Sequence, residues 1–230
     1  MSAAENHGLF DCSRLRAPRG KRFRLADRDT ADTHPFKDKD AAEGYLQEGV
    51  ARLAALQDTL YAQDRWSVLL IVQAMDAAGK DGTIKHVMSG LNPQGCHVVA
   101  FKTPSETELD HDFLWRSNIN LPERGRIGVF NRSYYEEVLI VRVHPPILAG
   151  QMLPPSLVTK NIWKERYEDI NAAERYLTRN GTKIVKVFLN VSKEEQRRRF
   201  LDRLEDKDKN WKFRAADLKE RDYWKDYMKA

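Results

Sequence analysis

LLIVQAMDAAGKDGTIKHVMSG, from Leu69 to Gly90, is the stretch that decides the fold of this chain. An apolar run ends in a loop of small residues that carries Gly79 and Lys80, and a segment of helical character follows. Main-chain N–H groups of a strand-to-helix loop converge on phosphate oxygens, the helix dipole attracts anions, and the lysine adds positive charge. This context favours a phosphate-binding loop over an ordinary surface turn.

The loop departs from the usual pattern G-x-x-x-x-G-K-[ST] at two positions. Ala74 stands where the first glycine is expected, and Asp81 replaces the hydroxyl residue that helps to hold Mg²⁺. A further acid, Asp76, lies inside the loop, and Thr83 is a nearby hydroxyl that could substitute for the missing one. The two acids raise the question of which phosphate chemistry the loop serves.

The composition limits the class of protein. A chain of 230 residues that is 41% hydrophobic can bury one sizeable core, so we expect a single main domain. The net charge of +5 favours anionic partners without distinguishing nucleic acid, membrane surface and phosphorylated metabolites. Two cysteines cannot form a disulfide framework, and we find neither a secretory signal nor an apolar run of 18 residues. We therefore expect a cytoplasmic protein that does not enter the membrane.

Strands and helices alternate along the chain after an amphipathic helical pattern over residues 37–63. The predicted strands are WSVLLIVQA (66–74), CHVVAFK (96–102), GRIGVFN (125–131) and TKIVKVFLNVS (182–192). The predicted helices between them cover Glu106–Ser117, Ser133–Ile140 and Ser156–Thr178. Such alternation predicts an α/β fold with a central parallel sheet, which binds its ligands at the carboxyl ends of the strands.

The first 33 residues differ from the rest of the chain. They are polar and basic and show no periodicity, so we expect an extended arm over residues 1–33 and one domain over residues 34–230. We interpret the basic residues of the arm as a solvated tail rather than a binding site. They are Arg14, Arg16, Arg19, Lys21, Arg22 and Arg24.

A second motif follows a later strand. Apolar residues of RGRIGVFNRSYYEEV (124–138) lead to Asn131, Arg132 and Ser133 where a strand would open into a helix, and a phosphoryl-transfer enzyme needs a metal-holding group at such a place. With the loop MDAAGKDG (75–82), this motif closely resembles the family-2 polyphosphate kinases, whose second motif reads F-[DN]-R-S-x-Y. The resemblance extends from about Phe23 onward. Members continue past the position of Ala230 with a further strand and helix, which predicts a shortened chain here.

The resemblance implies a three-layer P-loop kinase fold like that of thymidylate and adenylate kinases, with a helical lid at about residues 203–220. It implies reversible phosphoryl transfer between inorganic polyphosphate and purine nucleotides, with Mg²⁺ or alternatively Mn²⁺, in a homo-oligomer, dimer or tetramer, that binds no nucleic acid. Asn131 resembles the subgroup that accepts both AMP and ADP, with GMP and GDP as further candidates. An ATP-dependent nucleoside monophosphate kinase and a non-catalytic polyanion-binding module remain alternatives.

The same resemblance assigns individual residues. Asp76, Lys80, Arg132 and Arg203 are the predicted catalytic residues. Metal ligands are expected at Asp76 and Asn131, with Glu136 or Glu137 sharing the ion. The remaining phosphate- or nucleotide-binding positions are Ala77, Ala78, Gly79, Asp81, Gly82, Thr83, Lys85, Lys102, Asn131 and Arg199. Further lid candidates are Lys209, Lys212 and Arg214.

Overall fold

The computed structural model describes residues 11–18, 23–206 and 215–230. Within them the strands are β1 (Ser67–Ala74), β2 (Cys96–Ala100), β3 (Ile127–Asn131) and β4 (Thr182–Leu189). The longer helices are α1 (Lys39–Gln63), α2 (Lys80–Met88), α7 (Ile162–Arg179) and α8 (Lys193–Glu205). The short helices are α3 (Glu106–Leu109), α4 (Trp115–Asn118), α5 (Ile140–Val143), α6 (Pro145–Ala149), α9 (Ala215–Glu220) and α10 (Trp224–Lys229).

The strands form one parallel sheet in the order β2-β3-β1-β4. Val68 of β1 pairs with Ile127 of β3, so Asn131 at the end of β3 lies beside Val72, two residues before β1 ends at Ala74. The parallel α/β sheet predicted from the apolar runs is confirmed. The loop after β1 and the motif after β3 therefore meet at one edge of the sheet.

Helices cover both faces of the sheet because the side chains of β1 alternate between them. Leu69 and Ile71 pack with Phe130 and with Ile170 of α7 on one face. Val72 packs on the other face, in a cluster that contains Ile84 of α2 together with Leu53 and Leu60 of α1. The result is the predicted three-layer arrangement of helix, sheet and helix.

Three predicted helices differ in their bounds. The helix expected over residues 106–117 is two short helices, because the Asp112 carboxylate accepts a hydrogen bond from Leu114 N at 2.9 Å and starts a new turn. The helix expected from Ser156 begins at Ile162, after a 3₁₀ turn at Pro155–Leu157. The stretch after Ser133 is a 3₁₀ helix, Tyr134–Val138, followed by α5. Each difference arises from a local cap or turn that interrupts an otherwise helical pattern.

The described part of the predicted arm contains two 3₁₀ turns, Ser13–Leu15 and Leu25–Asp27. Arg28 donates to the main-chain oxygens of Arg14 at 2.6 Å and Arg16 at 3.3 Å. Residues 19–22 lie outside the described residues. Among the helices that the structure describes, none combines the length and the apolar composition needed to cross a bilayer.

Candidate active site

The loop between β1 and α2 has the geometry of a phosphate cradle. Gly79 precedes α2 with φ +97°, a left-handed conformation that glycine adopts without steric cost. Ala77 also has positive φ, +59°, an unfavourable conformation for a residue with a Cβ that is concentrated at functional sites. The Lys80 ammonium donates to the main-chain oxygens of Ala74 at 3.0 Å and Met75 at 3.2 Å. Burial, followed by the charge of Arg132, lowers the pKa of Lys80.

Arg132 lies directly after β3 and contacts this loop. Its backbone is left-handed, φ +66°, and its N–H donates to Val72 O of β1 at 3.1 Å. The guanidinium pairs with Asp76 Oδ1 at 2.7 Å and with Glu136 Oε2 at 3.2 Å. Burial works against its charged form, but Glu136 and Asp76 outweigh that effect and raise the pKa of Arg132. Two predicted catalytic residues, Asp76 and Arg132, are thus in direct contact.

Glu136 is held in turn by the end of β1. Gln73 donates its amide N–H to Glu136 Oε1, and Ser133 Oγ donates to Gln73 Oε1 at 3.4 Å. Gln73 and Ser133 are buried. The Glu136 carboxylate, which orients Arg132, is therefore held in place by buried polar groups. The sequence predicted Glu136 only as a possible metal ligand.

Asn131 is joined to the first turn of α2. Its side-chain N–H donates to Asp81 Oδ1 at 2.8 Å, which links the end of β3 to the residue after Lys80. This bond orients the Asn131 amide, whose oxygen is the atom that can bind a cation. It also ties the first turn of α2 to the end of β3.

Glu137 occupies a different environment. It is buried, and its Oε2 accepts hydrogen bonds from Arg166 at 2.5 Å and from Gln151 at 2.7 Å. Arg166 also donates to Gln151 Oε1 at 2.6 Å, which closes a polar network between the 3₁₀ helix and α7. The structure therefore does not bring Glu137 to Asp76. Of the two candidate carboxylates, only Glu136 contacts Arg132, the partner of Asp76.

Arg199 of α8 lies on the back of the loop. Its Nη1 donates to Ala78 O at 2.7 Å and lies 3.3 Å from where a Cβ on Gly79 would be. Hydrogen bonds from Arg198 and Arg199 lower the pKa of Glu195 to about 2, so Glu195 stays ionised and holds Arg199 at 2.7 Å. The predicted binding residue Arg199 thus supports the loop through main-chain carbonyl groups.

Three other predicted basic residues lie on α8, on α2 and after β2. Arg203 is placed over the ring of Phe200, 5.4 Å from its centroid, in the last turn of α8. Lys85 on α2 and Lys102 after β2 are exposed. Lys209, Lys212 and Arg214, with the centre of the predicted lid, lie outside the described residues.

A cavity of about 920 Å³ adjoins the cluster. Asp76, Arg132 and Glu136 form its polar floor, and its walls come from the arm, the start of α8 and the C-terminal helix. The wall residues include Phe23, Arg24, Leu25, Phe188, Val191, Trp224, Tyr227 and Met228. Charged residues such as Arg28, Lys193 and Glu220 also line the cavity, so its wall combines charged groups with apolar and aromatic side chains.

The described residues hold no group of three or more His, Cys, Asp or Glu side chains able to bind a metal by themselves. Mg²⁺ commonly takes one or two carboxylates and completes its coordination with substrate phosphates and water. Asp76 on the loop, with Asn131 and Asp81 at the end of β3 and the start of α2, offers a donor set of that size. The site fits a divalent ion that binds together with phosphates.

A phosphate loop at the carboxyl edge of a parallel sheet, with an arginine–carboxylate cluster on the neighbouring strand, defines a P-loop phosphotransferase of the kinase type. Residues 36–230 match the family described as Polyphosphate kinase 2. The chain belongs to this family. It is an enzyme that transfers phosphate, and kinase-type phosphotransferases in general require a divalent metal.

Named relatives support the assignment. The chain is 57% identical over 219 residues to an ADP-polyphosphate phosphotransferase of Rhodopseudomonas palustris, and the match covers 91% of this chain and 76% of the relative. It is 44% identical to an AMP/ADP-polyphosphate phosphotransferase of Meiothermus ruber, with coverage of 91% and 74%. A crystal structure of polyphosphate kinase 2 from Arthrobacter aurescens superposes with a TM-score of 0.84 at 42% identity, covering 94% of this chain and 74% of that one.

Sequence reasoning missed two buried glutamines at the site, Gln73 of β1 and Gln196 of α8. Gln196 of α8 is 2% exposed, and its amide donates to Asp76 O at 3.0 Å. A signal was present, because Gln196 precedes the buried Phe200 by four residues and so shares its helix face. The charged run EEQRRR around Gln196 instead predicts a solvated helix face.

Proposed function

We propose that this chain catalyses Mg²⁺-dependent, reversible phosphoryl transfer between inorganic polyphosphate and adenine nucleotides, with both AMP and ADP as acceptors. The observation that carries the proposal is the contact between Asp76 of the loop and Arg132 of the second motif, beside Lys80. One cation and one carboxylate from two neighbouring strands meet where a bridging phosphate would bind.

The chemistry needs little covalent participation from the protein. An ionised phosphate oxygen of the nucleotide attacks the terminal phosphorus of polyphosphate in line, a new P–O bond forms, and the terminal P–O–P bond breaks to release a chain one phosphate shorter. The nucleophile is already charged, so positioning and charge neutralisation dominate catalysis. Lys80 and Arg132 supply fixed positive charge, and the N–H groups of the loop orient the phosphate oxygens.

Asp76 and Asn131 are the residues that would hold the Mg²⁺ ion. The bound ion would neutralise charge between donor and acceptor phosphates. Arg132 pairs with Asp76 Oδ1, which fixes the direction of the carboxylate before any substrate binds. This pre-orientation lowers the cost of assembling a site from several separate anions.

Asn131 is the residue we assign to acceptor choice. AMP and ADP present their attacking oxygen at different distances from the base, and a neutral amide tethers a cation less firmly than a carboxylate. Of the two relatives described above, the Rhodopseudomonas protein is named for ADP alone and the Meiothermus protein for both AMP and ADP. Whether this chain uses AMP therefore decides between an acceptor range of ADP alone and one of both nucleotides.

A time course from pure AMP tests acceptor choice. With polyphosphate as donor, and without ATP or added adenylate kinase, we expect ADP to form first and ATP to follow. Asn131→Asp is expected to reduce AMP use more than ADP use. Brisk ATP formation from ADP with no product from AMP would contradict the acceptor assignment and leave the family assignment intact.

The alternatives predict different donors and ligands. An ATP-dependent monophosphate kinase would use ATP with AMP and ignore polyphosphate, so exchanging the donor in one assay separates the two enzymes. A polyanion-binding module would retain polyphosphate on a filter without turnover. Adding single-stranded DNA to the same filter assay tests whether the basic residues bind nucleic acid. We expect that DNA does not compete with polyphosphate for binding.

We further propose that the protein acts in the cytoplasm as a homo-oligomer. Its two cysteines, Cys12 and Cys96, are both free in the structure, as expected in a reducing compartment. A dimer or tetramer would be measured by light scattering after size-exclusion chromatography, and a monomer at micromolar concentration would contradict the proposed assembly.

A further inference from the structure

Gln196 makes a hydrogen bond at each end of its amide. The Nε2 group donates to Asp76 O of the loop at 3.0 Å, and Oε1 accepts from Arg221 Nε at 3.1 Å. Arg221 also donates to Lys193 O at 3.2 Å in the first turn of α8. The side chain thus joins the loop to the segment between α9 and α10.

The two partners fix the orientation of the amide. A guanidinium only donates hydrogen bonds and a main-chain oxygen only accepts them. The oxygen of Gln196 must therefore face Arg221, and its nitrogen must face Asp76 O. Because the residue is 2% exposed, water does not offer a replacement partner for either group.

Gln196 and Arg199 together bind three consecutive carbonyl groups of the loop. Gln196 binds Asp76 O, while Arg199 binds Ala77 O at 3.4 Å and Ala78 O at 2.7 Å. In a trans peptide the C=O and the following N–H point in opposite directions. The carbonyl groups of Asp76 and Ala78, fixed toward α8, therefore direct the N–H groups of Ala77 and Gly79 toward the opposite side of the loop, while the Ala78 N–H donates to Met75 O at 3.3 Å.

We propose that Gln196 is a positioning residue for phosphoryl transfer, which orients the peptide between Asp76 and Ala77 and is itself oriented by Arg221. This inference rests on the proposed function. Gln196 acts through the loop: it directs the Ala77 N–H toward phosphate and fixes the main chain that carries the Asp76 carboxylate. The polar cluster at the cavity floor then has a second support besides Arg132.

The test compares two buried glutamines. Gln196→Glu keeps the size of the side chain and the acceptor for Arg221 but removes the donor to Asp76 O. The matched control is Gln57→Glu, because Gln57 of α1 is also 2% exposed and its amide binds Asn92 O at 2.9 Å, away from the loop. Both variants bury one carboxylate, but the one in Gln196→Glu faces the Arg221 guanidinium, whereas the one in Gln57→Glu faces only Asn92 and Cys96. The control should therefore be destabilised at least as much as Gln196→Glu.

We expect Gln196→Glu to lower kcat by about 10- to 100-fold, since misplacing reacting groups by about 1 Å costs up to that factor. Polyphosphate binding should weaken by about tenfold, the size of one lost hydrogen bond. Gln57→Glu should leave kcat and polyphosphate binding within about twofold, while its melting temperature falls at least as far as that of Gln196→Glu. Equal kcat losses in both variants, or kcat of Gln196→Glu within about threefold of wild type, would overturn the inference.

Arg221→Gln provides a second variant at a less buried position that avoids a carboxylate beside the loop. It removes the guanidinium that orients the Gln196 amide but retains the Gln196 N–H that donates to Asp76 O. We therefore expect a several-fold loss of kcat with little change in melting temperature. Unchanged kcat would overturn the role of Arg221. A wild-type chain without transfer activity would contradict the proposed function alone, because binding of polyphosphate to Gln196→Glu and Gln57→Glu would still test the positioning of the loop.

Discussion

Glu136 and Glu137 are adjacent residues of one 3₁₀ helix, yet they belong to different parts of the molecule. Glu136 pairs with Arg132 at 3.2 Å on the floor of the cavity, where the side chains are 19% and 34% exposed. Glu137 pairs with Arg166 at 2.5 Å inside the protein, where they are 9% and 5% exposed. The chemistry of the two pairs is the same, and their access to solvent differs.

The difference separates the charge of the proposed active site from structural charge. A 3₁₀ helix has three residues per turn, so consecutive side chains point about 120° apart and only one of the two can face the cavity. An arginine beside a cavity can exchange part of its carboxylate contact for a phosphate. A buried arginine cannot do so, because loss of its partner leaves an uncompensated charge away from water. Substitutions at the two pairs should therefore have different effects on stability and on turnover.

The largest expected effect is on the buried pair. Arg166→Met leaves the carboxylate of Glu137 buried without its partner, and we expect the free energy of unfolding to fall by about 3–5 kcal/mol. Urea denaturation measures the change. Adding Glu137→Gln to the same chain should restore much of the loss, because it removes the unpaired charge. A loss below about 1 kcal/mol in the single variant would contradict the structural role.

Lys80→Met should give the largest loss of activity. It removes the cation of the phosphate loop while keeping an unbranched side chain, and losing one electrostatic stabiliser costs about 10²-fold or more in rate. Steady-state turnover with polyphosphate measures this loss, and a thermal melt should show that the variant folds. Near-normal turnover in a folded variant would mean that the loop is not the phosphate site.

Glu136→Gln is expected to have a smaller effect on activity. Arg132 keeps its contact with Asp76 but loses one of its two carboxylates, so it should be less firmly oriented and turnover should fall by about tenfold. Glu137→Gln serves as the neighbouring control: it should lower the melting temperature more than Glu136→Gln does and affect turnover less. A larger loss of turnover in Glu137→Gln, or a larger drop of melting temperature in Glu136→Gln, would contradict the different roles of the two carboxylates.

Arg203→Ala should have the smallest effect on the fold. We expect turnover to fall several-fold, because a residue of the predicted lid acts once substrate is bound. The free energy of unfolding should stay within about 0.5 kcal/mol of wild type, as is usual for surface substitutions. A large drop in melting temperature would instead assign Arg203 to packing against Phe200.

The sheet and the centre of the site were predictable because their signals are local. A continuous apolar run followed by small residues and Gly79-Lys80 predicts a buried strand and its loop, and parallel pairing then places Arg132 beside that loop. The contact between Asp76 and Arg132 follows from the topology of the sheet, since both residues come just after neighbouring strands.

Other features depend on tertiary contacts that no short pattern contains. The different roles of Glu136 and Glu137 result from the 3₁₀ geometry of residues that look like part of a regular helix. The bonds of Gln196 to Asp76 and Arg221 join residues that are far apart in sequence. The break between α3 and α4 has a local cause instead, the hydrogen bond from Leu114 N to the Asp112 carboxylate.

The most direct test of the account is the initial rate of ATP formation from ADP with inorganic polyphosphate as the sole phosphoryl donor. The purified chain would be assayed with Mg²⁺ beside Lys80→Met, and product nucleotides would be separated and quantified. The account predicts ATP formation by wild type, with loss of one phosphate from polyphosphate for each ATP formed, and a rate lower by about 10²-fold in the variant. No ATP from the wild-type chain, or equal rates in the two proteins, would contradict it.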